Sequence, residues 1–411
     1  MRNLLQAGRS PGKNETFLSI PGFYYFYHMS SHSHKIRVVF SVINCICHDQ
    51  RVLKIAETVS NLGCDITIIG RQSGDCCNSD LVPFKTKRFR MFFKRGFIFY
   101  KFFNIRLFFY LLIHKYDLLV SNDLDTLLPN FLVAKLKHLP LVYDSHEYFT
   151  GVPEIQNKPF VKWVWKTIEK SIFPRLKYVM TVSDPIASLY EKMYQIRPMV
   201  VRNLSKNADN ITPYTRKEIG VPSDDLLIII QGTGINIDKG AEELIESVNI
   251  LDGITLMIVG SGDVVPQLKR QVTELKISHK VKFVSAVPWE TLMKYTKSAD
   301  IGMCIEKDTN LNYRYSLPNK LFDYIAAGIP VIASDLPETG KIIRENGFGI
   351  IIGSVTPEQL SKALKQVKDD PLMMAELRRN SIAASKKLNW EIESDKIKEL
   401  YNSILSYYTN N

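Results

Sequence analysis

From residue 35 onward, short β-branched runs alternate with longer amphipathic stretches, and after residue 225 the alternation begins again. That order is the signature of a parallel sheet covered by helices, met twice. In the first half, strands are expected at 36–42, 65–69, 118–121, 141–143, 178–182 and 199–201, with helices over 51–62, 126–136, 161–173 and 184–194. Residues 204–225 are polar, carry Pro213 and Pro222, and read as a linker. The second half predicts strands at 226–231, 255–259, 281–284, 300–305, 330–333 and 349–352. Its helices fall over 241–251, 267–275, 289–297, 319–327 and 358–366, and a helical tail covers 370–408. A chain of 411 residues is too long for one compact domain and comfortable for two, here 35–205 and 206–389. In open α/β sheets the loops beyond the carboxyl ends of the strands hold the ligand, so the chemistry is sought there.

Hydrophobic residues make up 45% and charged residues 23%, so two cores can form without disulfides or structural metal. The six cysteines (Cys45, Cys47, Cys64, Cys76, Cys77 and Cys304) show no paired zinc-ligand spacing and are expected to be free thiols. The net charge of +11 admits three partners: nucleic acid, an anionic membrane surface or phosphorylated substrates. Cations cluster with aromatic rings over 85–113, from Lys85 and Arg88 through Phe97, Phe99 and Lys101 to Phe103 and Arg106. The apolar run 97–113 is shorter than the ~20 residues that span a bilayer. Its Lys101 and Arg106 would each cost roughly 2.5–3.5 kcal/mol at the membrane centre. A basic aromatic helix suits the headgroup layer of a membrane; a buried helix with snorkelling cations is the alternative. No nucleic-acid module is recognisable, and nucleic acid is not expected as a partner.

Residues 1–34 have no signal-peptide pattern and are expected to be disordered; Met29, just before the first strand, allows an upstream misreading of the start codon. A cytoplasmic protein, peripheral on the inner face of the cell membrane, is therefore expected.

Two strand-to-helix turns in the second half carry candidate chemistry. After the strand at 226–231, Gly232-Thr233-Gly234 makes a flexible turn, and Asp238-Lys239-Gly240 opens a helix. Its unpaired N–H groups and dipole suit an anion, with Lys239 adding a point charge for a diphosphate. The second turn reads Tyr315-Ser316-Leu317-Pro318-Asn319-Lys320-Leu321-Phe322-Asp323. Ser316 can cap that helix, Pro318 suits its first turn, and Asp323 lies where a carboxylate could accept bonds from two ribose hydroxyls.

The stretch 315–332 resembles the retaining glycosyltransferases of family 4, whose fold is GT-B. The turn Gly232–Gly240 is similar to that family's phosphate loop, and His48-Asp49-Gln50-Arg51-Val52, Tyr143-Asp144-Ser145-His146-Glu147 and Arg202-Asn203 also match. Asn389-Trp390-Glu391 resembles the start of the helix that crosses back to the first domain. The resemblance implies an α/β protein of two Rossmann-like domains facing a central cleft, with the helix 390–411 returned to the first. It implies a sugar moved from a nucleotide-sugar donor, UDP- or GDP-linked and with no further cofactor, to a lipid-linked glycan acceptor in surface polysaccharide synthesis. Lys239 would neutralise the donor phosphate and Asp323 would hold its ribose. Gly232, Ser316, Leu317, Asn319 and Lys320 would line the diphosphate and sugar, and His146 would point into the cleft.

Three positions depart from the family. Its two glutamates seven residues apart become Tyr315 and Asp323, leaving Glu306 as the nearest upstream acid and a second candidate catalytic residue. The arginine before the phosphate-loop lysine is absent from Gly234-Ile235-Asn236, and residues 44–48 replace a glycine-rich loop. Asp123-Leu124-Asp125 has the form of a metal-binding D-x-D motif, but it precedes a helix that it can cap, and no metal is expected. A sugar-nucleotide epimerase of the same fold and a non-catalytic nucleotide-sugar binder are the alternatives.

Overall fold

The protein is described from a computed structural model covering residues 35–72, 82–93, 96–152, 155, 158–315 and 317–409. Ser316, Cys76, Cys77 and the segment 1–34 lie outside the described residues, as does the side chain of His48. Strands β1 (Arg37–Ser41), β2 (Asp65–Gln72), β3 (Lys85–Arg90), β4 (Leu118–Asn122), β5 (Leu141–Ser145), β6 (Tyr178–Thr181) and β7 (Met199–Val200) form the first sheet. Their order is β3-β2-β1-β4-β5-β6-β7, and every pairing is parallel. On central β1, Val38, Val39 and Phe40 are all fully buried, the continuous apolar run of a strand covered on both faces. Helices α1 (Gln50–Ser60), α2 (Gly96–Ile113), α3 (Leu124–Lys137), α4 (Pro159–Ile172) and α5 (Asp184–Tyr194) cover it.

The basic helix expected over 85–113 is two elements. Lys85–Arg90 pairs with β2 from Thr67 to Gln72, and the helix begins only at Gly96. The cations of Lys85, Lys87, Arg88 and Arg90 suit an edge strand, where charge discourages pairing with another chain.

The second sheet holds β8 (Leu226–Gly232), β9 (Ile254–Gly260), β10 (Val281–Val284), β11 (Ile301–Cys304), β12 (Val331–Ser334) and β13 (Gly349–Ile352). The order β10-β9-β8-β11-β12-β13 is again wholly parallel. Around it pack α6 (Ala241–Ile250), α7 (Val265–Glu274), α8 (Trp289–Ser298), α9 (Leu311–Tyr315), α10 (Asn319–Ala327), α11 (Pro337–Asn346), α12 (Pro357–Asp369) and α13 (Pro371–Ser385). The expected single tail is α13 and α14 (Trp390–Thr409), broken where the Trp390 amide donates to the Ser205 carbonyl at 2.9 Å. Helix α14 returns to the first sheet, burying Trp390, Ile397, Tyr401 and Ile404 in the core that also holds Ile55 and Val59 of α1. Each side chain so buried contributes roughly 1.5–3 kcal/mol.

The thiol expectation fails at the end of β1. Cys45 and Cys47 are disulfide-bonded, while Cys64 and Cys304 are free and buried. Sequence spacing tests for metal pairs, but it does not reveal which thiols a loop brings within bonding reach.

Candidate active site

The carboxyl edge of the first sheet presents His146, one residue past β5. Its Nδ1 lies 3.3 Å from Asp123 Oδ2 and its Nε2 3.3 Å from Asp144 Oδ2. The His146 amide donates to Asp123 Oδ1 at 2.8 Å, so backbone and ring are held by the same acid. Asp144 is fully buried and takes a bidentate bond from Arg51, at 2.9 and 2.7 Å. A third guanidinium bond, to the Val201 carbonyl at 2.7 Å, ties this pair to the chain leaving the sheet. Burial alone would lower the His146 pKa, but Asp123 and Asp144 outweigh it and raise it to about 10. Burial would likewise raise the Asp144 pKa, yet Arg51 and His146 hold it well below the carboxylate range. Both carboxylates thus favour the protonated form of the His146 ring.

Asp123 stands at the N-terminus of α3, but its side chain makes no capping bond. It adopts φ +59°, a left-handed backbone that non-glycine residues enter at a cost, and turns its carboxylate to His146. The capping expected of Asp123-Leu124-Asp125 is therefore replaced by a role in the histidine cluster. Among the described residues no group of three side chains is arranged to hold a metal ion.

The edge of the second sheet carries the opposite charge. Glu306, two residues past β11 and 1% exposed, receives Lys320 Nζ at 2.8 Å on Oε1, with Lys239 Nζ 3.8 Å from the same oxygen. Burial would raise the Glu306 pKa, but the lysines hold it at about 2, while burial pulls Lys239 below its ordinary value. Gly240, at φ +76°, lets the Lys239 loop approach β11: a Cβ there would meet the Ile305 carbonyl at 2.5 Å. Gly232 ends β8 at φ +137° and starts that loop.

Asp323, on α10, is buried and already bonded. Its Oδ1 accepts from Ser205 Oγ at 2.6 Å and Trp289 Nε1 at 3.0 Å, and its Oδ2 from Gln231 Nε2 at 3.0 Å. A ribose hydroxyl would therefore use the remaining lone pairs or replace one of these donors. Ser205, Gln231 and Trp289 escaped the sequence reading, as did Arg51, Asp144 and Asp123 as partners of His146. Only Trp289 gave a signal, a lone indole at the first position of a helix following a strand. Leu317 turns its side chain into the core of the second sheet. Asn319 faces the first half instead, its Oδ1 accepting from Asn203 at 2.8 Å.

The two edges meet through polar bonds. Asn312 donates to Glu147 at 2.9 Å, and Ser183 Oγ donates to the Tyr315 carbonyl at 3.1 Å. Tyr315, where the family pattern expects a glutamate, packs its ring against the first sheet's core. The loop after β5 thus faces the loops after β8 and β11 across one cleft.

Two parallel-sheet halves with facing carboxyl edges and a returning C-terminal helix define the GT-B fold, and solved structures agree. A sucrose-phosphate synthase from Thermosynechococcus elongatus superposes with a TM-score of 0.71, covering 91% of this chain and 100% of that one at 17% identity. In sequence, residues 49–203 match glycosyltransferase family 4 and residues 213–388 match the glycosyl transferases group 1. The chain belongs to the family 4 glycosyltransferases. An uncharacterized glycosyltransferase of Methanocaldococcus jannaschii is 30% identical over 38% of this chain and 39% of its own length. A chitobiosyldiphosphodolichol beta-mannosyltransferase of Candida albicans is 22% identical over 56% of this chain and 54% of its own. The chain thus spans two fifths to about half of the length of these curated relatives.

Proposed function

We propose that this protein transfers a sugar from a UDP- or GDP-linked donor to a lipid-linked glycan, with retention of configuration, in the assembly of a surface polysaccharide. The observation that carries the reading is the pair of facing edges, one built around His146 and the other around Lys239 and Lys320. Departure of a nucleoside diphosphate leaves an oxocarbenium-like sugar, so the reaction needs the leaving charge stabilised and the acceptor hydroxyl positioned. The lysine edge suits the diphosphate. Asp123 and Asp144 favour the imidazolium form of His146 and take both of its ring nitrogens, so the acceptor's proton passes to the leaving phosphate. A lipid-linked acceptor is supported by the Candida relative, named for a diphosphodolichol substrate.

Association with an anionic membrane belongs to the same proposal. By length and composition α2 could cross a bilayer, but Phe99, Phe103, Leu107 and Leu111 are buried in the first core. Crossing would tear that face away, so the helix lies along the surface. Its outer side leaves Phe97, Phe102 and Phe109 exposed, and the Phe97 ring meets Phe160 of α4 at 5.9 Å, which continues to Trp163 at 6.1 Å. Lys101 and Lys166 are exposed on the same two helices. Rings and cations together match the headgroup layer.

The deciding test incubates the purified protein with UDP- and GDP-sugars and a lipid-diphosphate-linked saccharide, with and without EDTA. Transfer insensitive to EDTA, with the anomeric configuration of the product equal to that of the donor by NMR, supports the reading. Binding of a nucleotide-sugar without any transfer would leave only a binding protein.

A further inference from the structure

Asp323 is more heavily bonded than a carboxylate that receives a ribose needs to be. A carboxylate offers about four acceptor positions, and side chains of this protein take three of them. Two vicinal ribose hydroxyls need two positions, one more than remains, so one donor must give way. The three donors are not equally held. Gln231 lies on β8, and its Oε1 accepts from Thr296 Oγ1 of α8 at 2.7 Å. Trp289 opens that same helix. Both belong to the frame of the second half. Ser205 belongs to no strand or helix and lies in the passage between the halves.

That passage is fastened to the first half along one face of α1. Arg51 donates to the Val201 carbonyl, Lys54 to the Leu204 carbonyl, and Glu57 accepts from Lys206. Lys54 is buried, and its Nζ stands 4.9 Å from the Trp390 ring, where the chain crosses back. Leu204 turns its side chain into the core of the second half, which makes it a pivot. Beside that pivot, two side-chain bonds hold the passage to α10: Ser205 to Asp323 at 2.6 Å and Asn203 to Asn319 at 2.8 Å. The first of them uses the same oxygen, Oδ1, that a ribose would approach.

Resting on the reading that Asp323 holds the donor ribose, we infer that Ser205 is the residue through which donor binding reaches the hinge. The ribose hydroxyls displace Ser205 Oγ from Asp323. The passage stays fastened to α1 while a bond to α10 is undone, so the halves gain freedom to rotate once the donor is in place. Ser205 is a positioning residue and takes no part in making or breaking the glycosidic bond.

The test measures binding of UDP, GDP and their 2′,3′-dideoxy forms by calorimetry, for the full chain and for Ser205→Ala. Only the ribonucleotides carry the displacing hydroxyls. For the preferred base, Ser205→Ala should bind the ribonucleotide about 3- to 10-fold tighter than the wild type, because no hydrogen bond is exchanged. It should bind the dideoxynucleotide as the wild type does. That difference is the coupling between Ser205 and the ribose, and a residue that only braced the fold would shift both ligands alike. Hydrogen exchange over residues 202–207 is the second readout. The ribonucleotide should speed it several-fold in the wild type, and Ser205→Ala should show the faster rate without nucleotide. The inference is overturned if Ser205→Ala binds the ribonucleotide no tighter than the wild type, or if the ribonucleotide leaves exchange over 202–207 unchanged. With either result, a wild type that prefers the ribonucleotide, and loses that preference on Asp323→Asn, keeps the ribose at Asp323 and the transferase reading standing. A wild type that binds none of the four nucleotides overturns both.

Discussion

The two edges of the cleft are electrostatic inverses. In the first half one cation, His146, is held by two carboxylates; in the second one carboxylate, Glu306, is held by two lysines. Both clusters sit just past the carboxyl end of a central strand, where the fold gathers loops. The first cluster is completed internally, because Arg51 supplies the charge that Asp144 needs. The second gathers two lysines on one carboxylate, with Glu147 of the first half as a further charge acting on Lys239.

This contrast can be broken at several points. The largest effect should come from Arg51→Met, which strands Asp144 in the core: breaking a buried pair by removing one partner costs about 3–5 kcal/mol. The melting temperature should fall sharply, and R51M/D144N should recover most of the loss. An unchanged melting temperature for the single variant would mean the pair is not what holds the first cluster.

His146→Ala comes next. Turnover should drop about 10-fold or more, because Asp123 and Asp144 lose the cation they share at the edge of the cleft, with nucleotide affinity unchanged. Weakened nucleotide binding of the same size would place the histidine on the wrong side of the comparison.

A smaller effect separates the clusters by pH. His146 keeps its proton to about pH 10 in the folded chain, whereas an unfolded histidine loses it near ~6.5. Between those values the folded state binds more protons, so stability is full below ~6.5 and falls as pH rises toward 10. Thermal melts from pH 6 to 10 should show this decline, and His146→Gln should flatten it. Glu306 behaves oppositely, its contribution fading only as pH drops from about 4 to about 2.

The smallest effect concerns the outer face of the first half alone. Replacing Phe160 and Trp163 by serine should lower binding to phosphatidylglycerol vesicles several-fold in a flotation assay, since each ring contributes buried apolar area. Transfer to a short, water-soluble acceptor should stay unchanged. Equal binding by wild type and variant would remove the lipid surface from the proposal.

Much of this architecture can be read from the residues because parallel strands announce themselves. Runs such as Leu226–Gln231 and Thr255–Val259 are apolar throughout, and the glycines and prolines between them mark the turns. Strand β3 was hidden because Lys85, Lys87, Arg88 and Arg90 carry the composition of a solvated flank, and its strand character comes from pairing with β2. Helix α11 went unseen because Pro337 and Gly340 read as loop. The site was legible only where it is local: Lys239, Lys320 and Asp323 lie in short turns at fixed offsets. The donors to Asp323 come from 118, 92 and 34 residues away, and Arg51 reaches Asp144 across 93. No periodic pattern records such meetings, which exist only once the sheets are assembled.

The chain passes between the halves twice, and the two passages are stitched together by Trp390 to Ser205 and by the Arg202 amide to Glu393 at 2.8 Å. A single tether would leave one half free to tumble about the other. Two tethers bonded side by side behave like the paired pins of a door, removing translation and leaving rotation about one line. Opening and closing is then a motion with one coordinate, along which the Asn312–Glu147 and Ser183–Tyr315 bonds act as the latch.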